Sequence, residues 1–188
     1  MNLEEHPHRR YNILTGEWIL VSPHRTKRPW QGKQEEKKSV SQRTYDKDCY
    51  LCPGNTRSNG KTNPVYTSTY VFDNDFPALL ADTDCDTYQE GLLRAEAESG
   101  ICRVVCFSPN HSLTLPLMSE KEIYNVVTTW ISEYSKLGMH TDINYVQIFE
   151  NKGELMGCSN PHPHGQIWAQ RSIPDIIIKK TRQQRAFQ

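Results

Sequence analysis

The sequence predicts an α+β domain in which an antiparallel sheet carries a helix on one face. Short segments rich in aromatic and β-branched residues are typical of strands, and they lie at residues 18–21, 70–72, 102–107, 144–149 and 166–169. One longer stretch, which follows Ser119, has the apolar spacing of an amphipathic helix. Because strands flank this helix in the sequence, we expect it to pack on the sheet that they form.

The helix has a recognisable beginning and end. Ser119 is a typical N-cap, and the acids Glu120 and Glu122 in the first turn suit the positive end of the helix dipole. Gly138 is expected to close the helix. Apolar residues fall on one face, which we predict to be core: Ile123, Val126, Val127, Trp130, Ile131, Tyr134 and Leu137.

Composition excludes several classes of function. The 188 residues have a net charge of zero and a pI of about 7.0, so nothing indicates a nucleic-acid partner. The sequence contains no run of 18 apolar residues, so it predicts no membrane span. Six cysteines without a secretory signal are expected to be thiols or metal ligands in a cytoplasmic protein.

The segment at residues 157–168 concentrates reactive and backbone-shaping residues. His162 and His164 are two apart, so in an extended backbone they share a face, and the prolines beside them stiffen the chain. We expect Gly165 to adopt a backbone conformation that no other residue tolerates. Two imidazoles suit a metal ligand and a nucleophile, and Gln166 can bind a phosphoryl oxygen. The alternative is a proline-stiffened turn with two surface histidines.

Two other segments suit a nucleotide. The loop at residues 22–30 places Arg25 and Arg28 beside prolines, which favours phosphate binding, although a solvated loop has the same composition. At residues 74–76, an amide, a carboxylate and a phenyl ring can hold a nucleoside, although Asn-Asp is also typical of a turn. A second His-Pro-His, at residues 6–8, lacks the following glycine and glutamine, and we interpret it as a decoy.

Cys49 and Cys52 have the Cys-x-x-Cys spacing of a zinc knuckle. A redox pair has the same spacing, but no thioredoxin-like context surrounds it here. His111 and His162 would complete a Cys2His2 set, and their distance along the chain means that such a site would join remote parts of one fold.

The run Ser-Asn-Pro-His-Pro-His-Gly-Gln-Ile-Trp, at residues 159–168, resembles the active-site signature of the galactose-1-phosphate uridylyltransferase family, a branch of the histidine-triad superfamily. The resemblance extends from His6 to Pro174, as in the N-terminal half of that enzyme. It implies a histidine-triad-like domain at residues 1–174, and the polar residues 175–188 are expected to be a tail or a truncated linker.

The resemblance implies exchange of UMP between UDP-glucose and galactose 1-phosphate, giving glucose 1-phosphate and UDP-galactose in the Leloir pathway. His164 would be the nucleophile, with Gln166 as the second catalytic residue. Structural zinc would bind Cys49, Cys52, His111 and His162. The residues implied in substrate binding are Arg25, Arg28, Asn74, Asp75, Phe76, Asn151, Gly157, Cys158, Ser159 and Gln166.

Two departures from the family pattern leave alternatives open. The resemblance implies that full-length members are homodimers and bind iron partly through a glutamate soon after the signature, but a lysine stands at that position here, so we expect no iron. The chain also lacks the second half of the enzyme, which leaves its oligomeric state open. A histidine-triad nucleotide hydrolase and a non-catalytic, zinc-stabilised nucleotide-binding fragment are therefore alternatives.

Overall fold

A computed structural model describes residues 1–29, 43–84, 86–158 and 160–188 of the chain. These residues form two compact units, the first from residues 1–29 with 173–188 and the second within residues 43–172. In the described ranges, no helix is both long enough and apolar enough to cross a membrane.

The first unit contains a hairpin and two helices. Strand β1 (His8–Asn12) pairs with strand β2 (Glu17–Val21) in the antiparallel sense. Gly16, with a φ of 71°, ends the turn between them, a conformation that glycine adopts without strain. A 3-10 helix follows at Pro23–Lys27, begun by a proline whose missing N–H needs no helical acceptor.

An α-helix occupies the segment in which the sequence analysis expected a tail or linker. It spans Asp175–Phe187, contains no buried residue, and has Asp175 in its first turn and Arg185 in its last, as the helix dipole favours. Lys179 lies 2.9 Å from Glu17 of β2. The polarity of this segment therefore reflects an exposed helix, and the division of the chain at residue 174 stays a prediction.

The second unit is built on a four-stranded antiparallel sheet, which confirms the predicted α+β class. The strands of the second unit, in chain order, are β3 (Tyr70–Asp73), β4 (Thr87–Glu90), β5 (Leu93–Glu96), β6 (Gly100–Cys106), β7 (Tyr145–Phe149) and β8 (His164–Gln170). The sheet has the order β3-β6-β8-β7, while β4 and β5 form a separate hairpin. Strand β8 is central, since it pairs with both β6 and β7.

The predicted helix is present as α1 (Glu120–Gly138) and begins with a capping box. The Glu122 carboxylate accepts from the backbone N–H of Ser119 at 2.8 Å, and the Ser119 hydroxyl accepts from the N–H of Glu122. This confirms Ser119 as the N-cap. Gly138 is the last helical residue, and Met139 is the C-cap.

The buried face of α1 differs from the predicted stripe. Val126 and Leu137 are fully buried, and Trp130 packs against the same core. Ile131 and Tyr134, however, are 62% and 55% exposed. Ile123 and Val127 are also exposed. The prediction that the whole stripe is core was therefore wrong.

A buried ion pair accounts for part of this difference. Glu133, on α1, is 5% exposed because its carboxylate pairs with the guanidinium of Arg103 on β6. The other end of Arg103 lies 3.2 Å from Asp73 of β3. A charged residue thus occupies a position on the sheet-facing side of the helix, where hydrophobic periodicity places none.

The two faces of the sheet have different partners. Along β8 the side chains alternate between buried and half-buried, as in any strand with one face in a core. Ile167 and Ala169 pack with Val105 and the buried residues of α1. On the opposite face, Val104 and Cys106 pack against the segment that contains Cys49 and Cys52. His164, Gln166 and Trp168 share this second face.

Gly165 is required by close packing and not by its backbone conformation. Its φ is not among the positive values, contrary to the expectation from sequence. A Cβ at this position would lie 2.9 Å from Cζ of Phe107 and 2.9 Å from the carbonyl oxygen of Phe149. The glycine thus allows β8 to fit between an aromatic ring and the neighbouring strand.

We predict that Gly165→Ala destabilises the protein by about 1–3 kcal/mol, because the added methyl group has no space. Gly138→Ala is the matched control, since nothing lies within 4 Å of a Cβ there. That change should be neutral or stabilise the helix by up to about 1 kcal/mol. Urea unfolding of both variants measures the difference, and equal midpoints would contradict the packing explanation.

Candidate metal centre and active site

Four buried side chains converge below the sheet in the second unit: Cys49, Cys52, His111 and His162. Their potential ligand atoms all lie within 4.8 Å of one another. Nδ1 of His111 and Nδ1 of His162 each lie 3.5 Å from Sγ of Cys52. A tetrahedral site with two sulfur and two nitrogen ligands places neighbouring ligand atoms about 3.3–3.8 Å apart. The cluster could therefore hold a metal ion with little rearrangement.

A tight turn holds the two cysteines. The backbone N–H of Cys52 donates to the carbonyl of Cys49 at 3.2 Å, and the N–H of Leu51 points at Sγ of Cys49, 3.4 Å away. Asn55 closes the turn, since its amide donates to the carbonyl of Cys49 at 2.7 Å. An N–H directed at a cysteine sulfur favours the thiolate that binds a metal.

Hydrogen bonding fixes which nitrogen of His162 can bind the metal. Nε2 lies 2.9 Å from the carbonyl oxygen of Ser108. A carbonyl only accepts, so Nε2 carries the proton and Nδ1 keeps its lone pair facing the thiols. Burial lowers the pKa of His162 to about 4, so the ring is neutral near pH 7. Its tautomer and charge are those of a metal ligand.

Burial disfavours ionisation of the Cys52 thiol. Burial raises the pKa of Cys52 to about 11, and neighbouring Cys49 contributes to the increase. A bound divalent ion reverses this preference by displacing the proton. The amide of Asn160 lies 3.6 Å from Sγ of Cys49, where its N–H groups can donate to the sulfur.

The nucleophile predicted from sequence, His164, is oriented by its neighbour. Its Nδ1 lies 2.7 Å from the carbonyl oxygen of His162, so Nδ1 donates and Nε2 keeps a free lone pair. The backbone N–H of His162 donates in turn to Oδ1 of Asn160 at 2.8 Å. His164 is half-buried at the start of β8. An imidazole held in this way can act as a nucleophile through Nε2.

Gln166 and Trp168 follow His164 on the same face of β8. The indole N–H of Trp168 donates to Oε1 of Gln166 at 3.3 Å. The ring of Phe149, on β7, meets the indole edge to face with centroids 5.4 Å apart. The glutamine predicted to bind a phosphoryl oxygen is therefore next to the candidate nucleophile and has an oriented amide.

Of the residues predicted at the nucleoside end, two are held by contacts within the protein. Asn74 forms the turn that the sequence also allowed, since its Oδ1 accepts from the N–H of Phe76 at 3.0 Å. Asp75 accepts from Asn59 at 2.6 Å. Phe76 is 78% exposed, and its ring is open to a ligand.

A buried arginine holds Asp75 from the other side. Arg57 lies 3.4 Å from the Asp75 carboxylate, and the two side chains are 7% and 8% exposed. The guanidinium also stacks on Phe72 of β3, 4.0 Å from the ring centroid. Arg57 belongs to the loop that follows the Cys-x-x-Cys turn, so this loop fixes the turn at residues 74–76.

The remaining predicted binding residues lie elsewhere. Arg25 and Arg28 belong to the first unit, where Arg25 is in the 3-10 helix and the N–H of Arg28 caps its end. Asn151, Gly157 and Cys158 lie in the connection from β7 to β8, in which Gly157 has a φ of 77°. The thiol of Cys158 donates to the carbonyl of Asn160 at 3.1 Å. Ser159 lies outside the described residues.

The second His-Pro-His has the same local hydrogen bond as the first. Nδ1 of His8 lies 2.8 Å from the carbonyl oxygen of His6. Nε2 of His8, however, accepts a hydrogen bond from Nε of Arg10 at 2.9 Å. The lone pair that a nucleophile needs is therefore occupied, which gives a physical reason for interpreting this motif as a decoy.

Sequence reasoning did not assign a role to four residues that shape the site: Arg57, Ser108, Asn160 and Trp168. Ser108 acts through a backbone carbonyl, for which no sequence signal exists. Asn160 and Trp168 stand inside the signature itself, so an amide and an indole N–H beside the histidines were the available signals. The only sequence signal for Arg57 was its position after the Cys-x-x-Cys turn.

An oriented histidine beside an amide, on a sheet braced by a Cys2His2 cluster, is suited to transfer of a phosphoryl-linked group. A family model described as galactose-1-phosphate uridyl transferase, N-terminal domain, matches residues 1–174. The chain belongs to this family.

Full-length relatives are similar along almost the whole chain. The galactose-1-phosphate uridylyltransferase of Haemophilus influenzae is 51% identical over 184 residues, which is 97% of this chain and 52% of the relative. The rat enzyme is 50% identical over 97% of this chain and 48% of its own length. The chain thus spans about half the length of the curated relatives it matches.

Solved structures share the fold. An ADP-glucose phosphorylase from Arabidopsis thaliana, crystallised with bound ADP-glucose, superposes with a TM-score of 0.72 over 97% of this chain and 55% of that one, at 21% identity. A structure of a uridylyltransferase has a TM-score of 0.61 and 25% identity, covering 93% of this chain and 49% of that one.

We predict that Cys52→Ser lowers the content of tightly bound metal well below one ion per chain and lowers the melting temperature. The reason is that binding at such a centre contributes directly to folding free energy. Cys102→Ser is the matched control, because Cys102 is also buried but lies outside the cluster. Elemental analysis of both variants measures the effect, and equal metal content would contradict the assignment of the ligands.

We predict that Arg57→Ala costs about 3 kcal/mol or more, because it leaves the Asp75 carboxylate buried without its charge partner. Replacing both residues with alanine should cost less than the sum of the two single changes. Arg94→Ala, on the exposed hairpin, is the control and should stay within about 0.5 kcal/mol of the original protein. Strict additivity in denaturant unfolding would show that the pair does not interact.

Proposed function

We propose that the chain is the nucleotide-transferring part of a galactose-1-phosphate uridylyltransferase, and that it exchanges UMP between UDP-glucose and galactose 1-phosphate through a uridylyl group on His164. The observation that carries this proposal is the hydrogen bond from Nδ1 of His164 to the His162 carbonyl, which leaves Nε2 unprotonated. The family match and the names of the relatives support the choice of substrates.

In the first half-reaction, Nε2 of His164 attacks the α-phosphorus of UDP-glucose. The N–P bond forms as the P–O bond to glucose 1-phosphate breaks, and glucose 1-phosphate leaves with the electron pair. The imidazole becomes positively charged in this step, and the His162 carbonyl stabilises that charge through the Nδ1–H hydrogen bond. The amide of Gln166 donates to a phosphoryl oxygen, where negative charge accumulates.

In the second half-reaction, a phosphate oxygen of galactose 1-phosphate attacks the same phosphorus. The N–P bond breaks, its electron pair returns to Nε2, and UDP-galactose is released. Splitting the exchange into two displacements at one histidine requires ping-pong kinetics. It also explains why the two sugar phosphates can use one phosphate site in turn.

The ion that fits the Cys2His2 cluster best is zinc, because two thiolates and two imidazoles in a closed tetrahedral set are its usual structural ligands. When bound, zinc would supply a rigid anchor for its ligands and not reaction chemistry. His162 holds Nδ1 towards the ion and its carbonyl towards His164, so the anchor also fixes the nucleophile. We expect no iron, because a lysine stands where the family has an iron-binding glutamate soon after the signature.

The sequence-predicted nucleotide-binding residues are proposed to act as follows. The ring of Phe76 is available to the base, and the turn that Asn74 and Asp75 build supports it. Arg25 and Arg28 are proposed to bind phosphates. The connection at residues 151–158 is proposed to line the phosphate channel, where Gly157 has no side chain and the positive φ of an anion-binding turn.

Assembly and location complete the proposal. Full-length family members are expected to be homodimers, and the oligomeric state of this chain is open. The described cysteines are free thiols, which fits the reducing conditions of the cytoplasm.

We predict that incubation with UDP-glucose adds the mass of one uridylyl group to the chain and that His164→Gly abolishes this gain. Intact mass spectrometry after a mildly basic quench measures it, because phosphorus–histidine bonds are labile in acid. His140→Gly is the control, since His140 is exposed and outside the site. Peptide mapping should place the label on residue 164 and not on His8.

The products separate the transferase from the two alternatives. Formation of UDP-galactose only when galactose 1-phosphate is present supports the proposal. Release of UMP at the same rate with and without galactose 1-phosphate would indicate a hydrolase. Binding of UMP without a covalent label would indicate a nucleotide-binding fragment and would contradict the proposed chemistry for this chain.

A further inference from the structure

The contact between Trp168 and Gln166 has a direction that determines what the glutamine can do. Nε1 of the indole is a donor and cannot accept, so the atom 3.3 Å away must be the carbonyl oxygen of the glutamine amide. The NH2 group therefore lies on the other side of the amide carbon, away from Trp168. His164 precedes Gln166 by two residues on the same face of β8, and Trp168 follows it by two.

Among the described residues, no side chain of β6 or β7 hydrogen-bonds to Gln166 or to the Trp168 indole, and Cys102, opposite Trp168, is a buried thiol. Gln166 stands opposite Val104 of β6 and Phe149 of β7, and neither side chain forms hydrogen bonds. Gln147, which stands opposite Trp168, is already engaged. Its Oε1 accepts from Tyr145 at 2.6 Å, and its Nε2 donates to the carbonyl of Ile148 at 2.9 Å.

The indole itself is held in place. The edge-to-face contact with Phe149 and the position of Trp168 on the central strand restrict its rotation. A terminal amide otherwise rotates through a broad range with little preference. One fixed donor at its oxygen is therefore enough to select between two opposite orientations.

We propose that Trp168 is a positioning residue for uridylyl transfer. Its indole N–H holds the Gln166 amide so that the NH2 group, and not the carbonyl oxygen, faces the phosphoryl group that His164 accepts. The reversed orientation would direct a partial negative charge at an anionic phosphate. This inference rests on the proposed function of Gln166. It identifies Trp168 as the residue that selects which end of the Gln166 amide, the NH2 group or the carbonyl oxygen, faces the phosphate.

The orienting hydrogen bond can be tested without activity. In ¹H–¹⁵N spectra of the labelled chain, four indole N–H resonances are expected, and Trp168→Phe identifies that of Trp168. Gln166→Leu removes the acceptor and should move this resonance upfield, whereas Gln166→Glu retains an acceptor and should not. An indole resonance that stays in place in Gln166→Leu would overturn the proposal.

The functional role is tested by the rate of uridylyl labelling. Trp168→Phe keeps an aromatic ring but loses the N–H, and it should slow labelling at saturating UDP-glucose by about three- to tenfold, the effect of one hydrogen bond. Trp130→Phe is the matched control, because the Trp130 indole N–H is buried without a hydrogen-bond partner among the described residues. This control should label at the original rate.

A merely structural role of Trp168 makes a different prediction. If the residue acts through Gln166, Trp168→Phe should have no further effect in a Gln166→Leu background, whereas general loosening of the strand would slow both backgrounds alike. If the chain binds UMP without labelling, the same comparison is made on the dissociation constant of UMP, with an expected rise of about three- to tenfold. Equal values in Trp168→Phe and Trp130→Phe would overturn the inference.

Failure of the proposed function is recognised separately. A chain that neither labels nor binds UMP refutes that function, and it also removes the transfer role given to Trp168, whatever the indole resonance shows. Normal labelling in Gln166→Leu would refute the role of the glutamine. Slowed labelling in Gln166→Leu with normal labelling in Trp168→Phe would refute only the positioning role.

Discussion

The hydrogen bond from His162 to the carbonyl of Ser108 is the constraint on which the rest of the site depends. It assigns the proton to Nε2, so that Nδ1 can face the two cysteines. With the ring fixed, the backbone of His162 is fixed too, and its carbonyl accepts the hydrogen bond that leaves Nε2 of His164 free. One buried imidazole thus connects the candidate metal centre to the candidate nucleophile.

The sheet gives this connection its rigidity. Strand β8 is hydrogen-bonded on both sides, and its other face is packed in the main core. Reactive side chains on a central strand lose less precision to backbone motion than side chains on a loop. Gly165 contributes by letting the strand approach Phe107 and the backbone of β7 closely. Strand β8 therefore has the core on one face and His164 and Gln166 on the other, so a substitution on one face is expected to shift the side chains on the other.

Local patterns in the sequence predicted the four strands of the central sheet and helix α1, but not strands β1, β4 and β5, the helix at Asp175–Phe187 or the contacts between elements. Alternation and spacing predicted the strands of the central sheet, the cap at Ser119, the Cys-x-x-Cys turn and the shared face of His164 and Gln166, because these depend on residues near in sequence. The complete set of four metal ligands was implied by the family resemblance, since His111 and His162 are remote from the cysteines in sequence. The buried position of Glu133 could not be predicted, since its partner on β6 is thirty residues away. The role of Ser108 is carried by a backbone carbonyl, whose position only the tertiary structure defines.

Comparison of the two His-Pro-His motifs distinguishes the hydrogen bond that orients the second histidine from the contacts that decide whether its other nitrogen is available. Both second histidines donate through Nδ1 to the carbonyl two residues earlier, at 2.8 Å and 2.7 Å. The proline-stiffened backbone is thus enough to fix the tautomer. In the first motif Arg10 occupies the remaining nitrogen, and a guanidinium that is always charged does not give up that contact easily. In the second motif the residue two further along is Gln166, an uncharged amide whose Oε1 accepts from the Trp168 indole, and among the described residues it donates no hydrogen bond to His164. The Nδ1 hydrogen bond is thus common to both motifs, and the availability of the other nitrogen differs with the residue two positions further along.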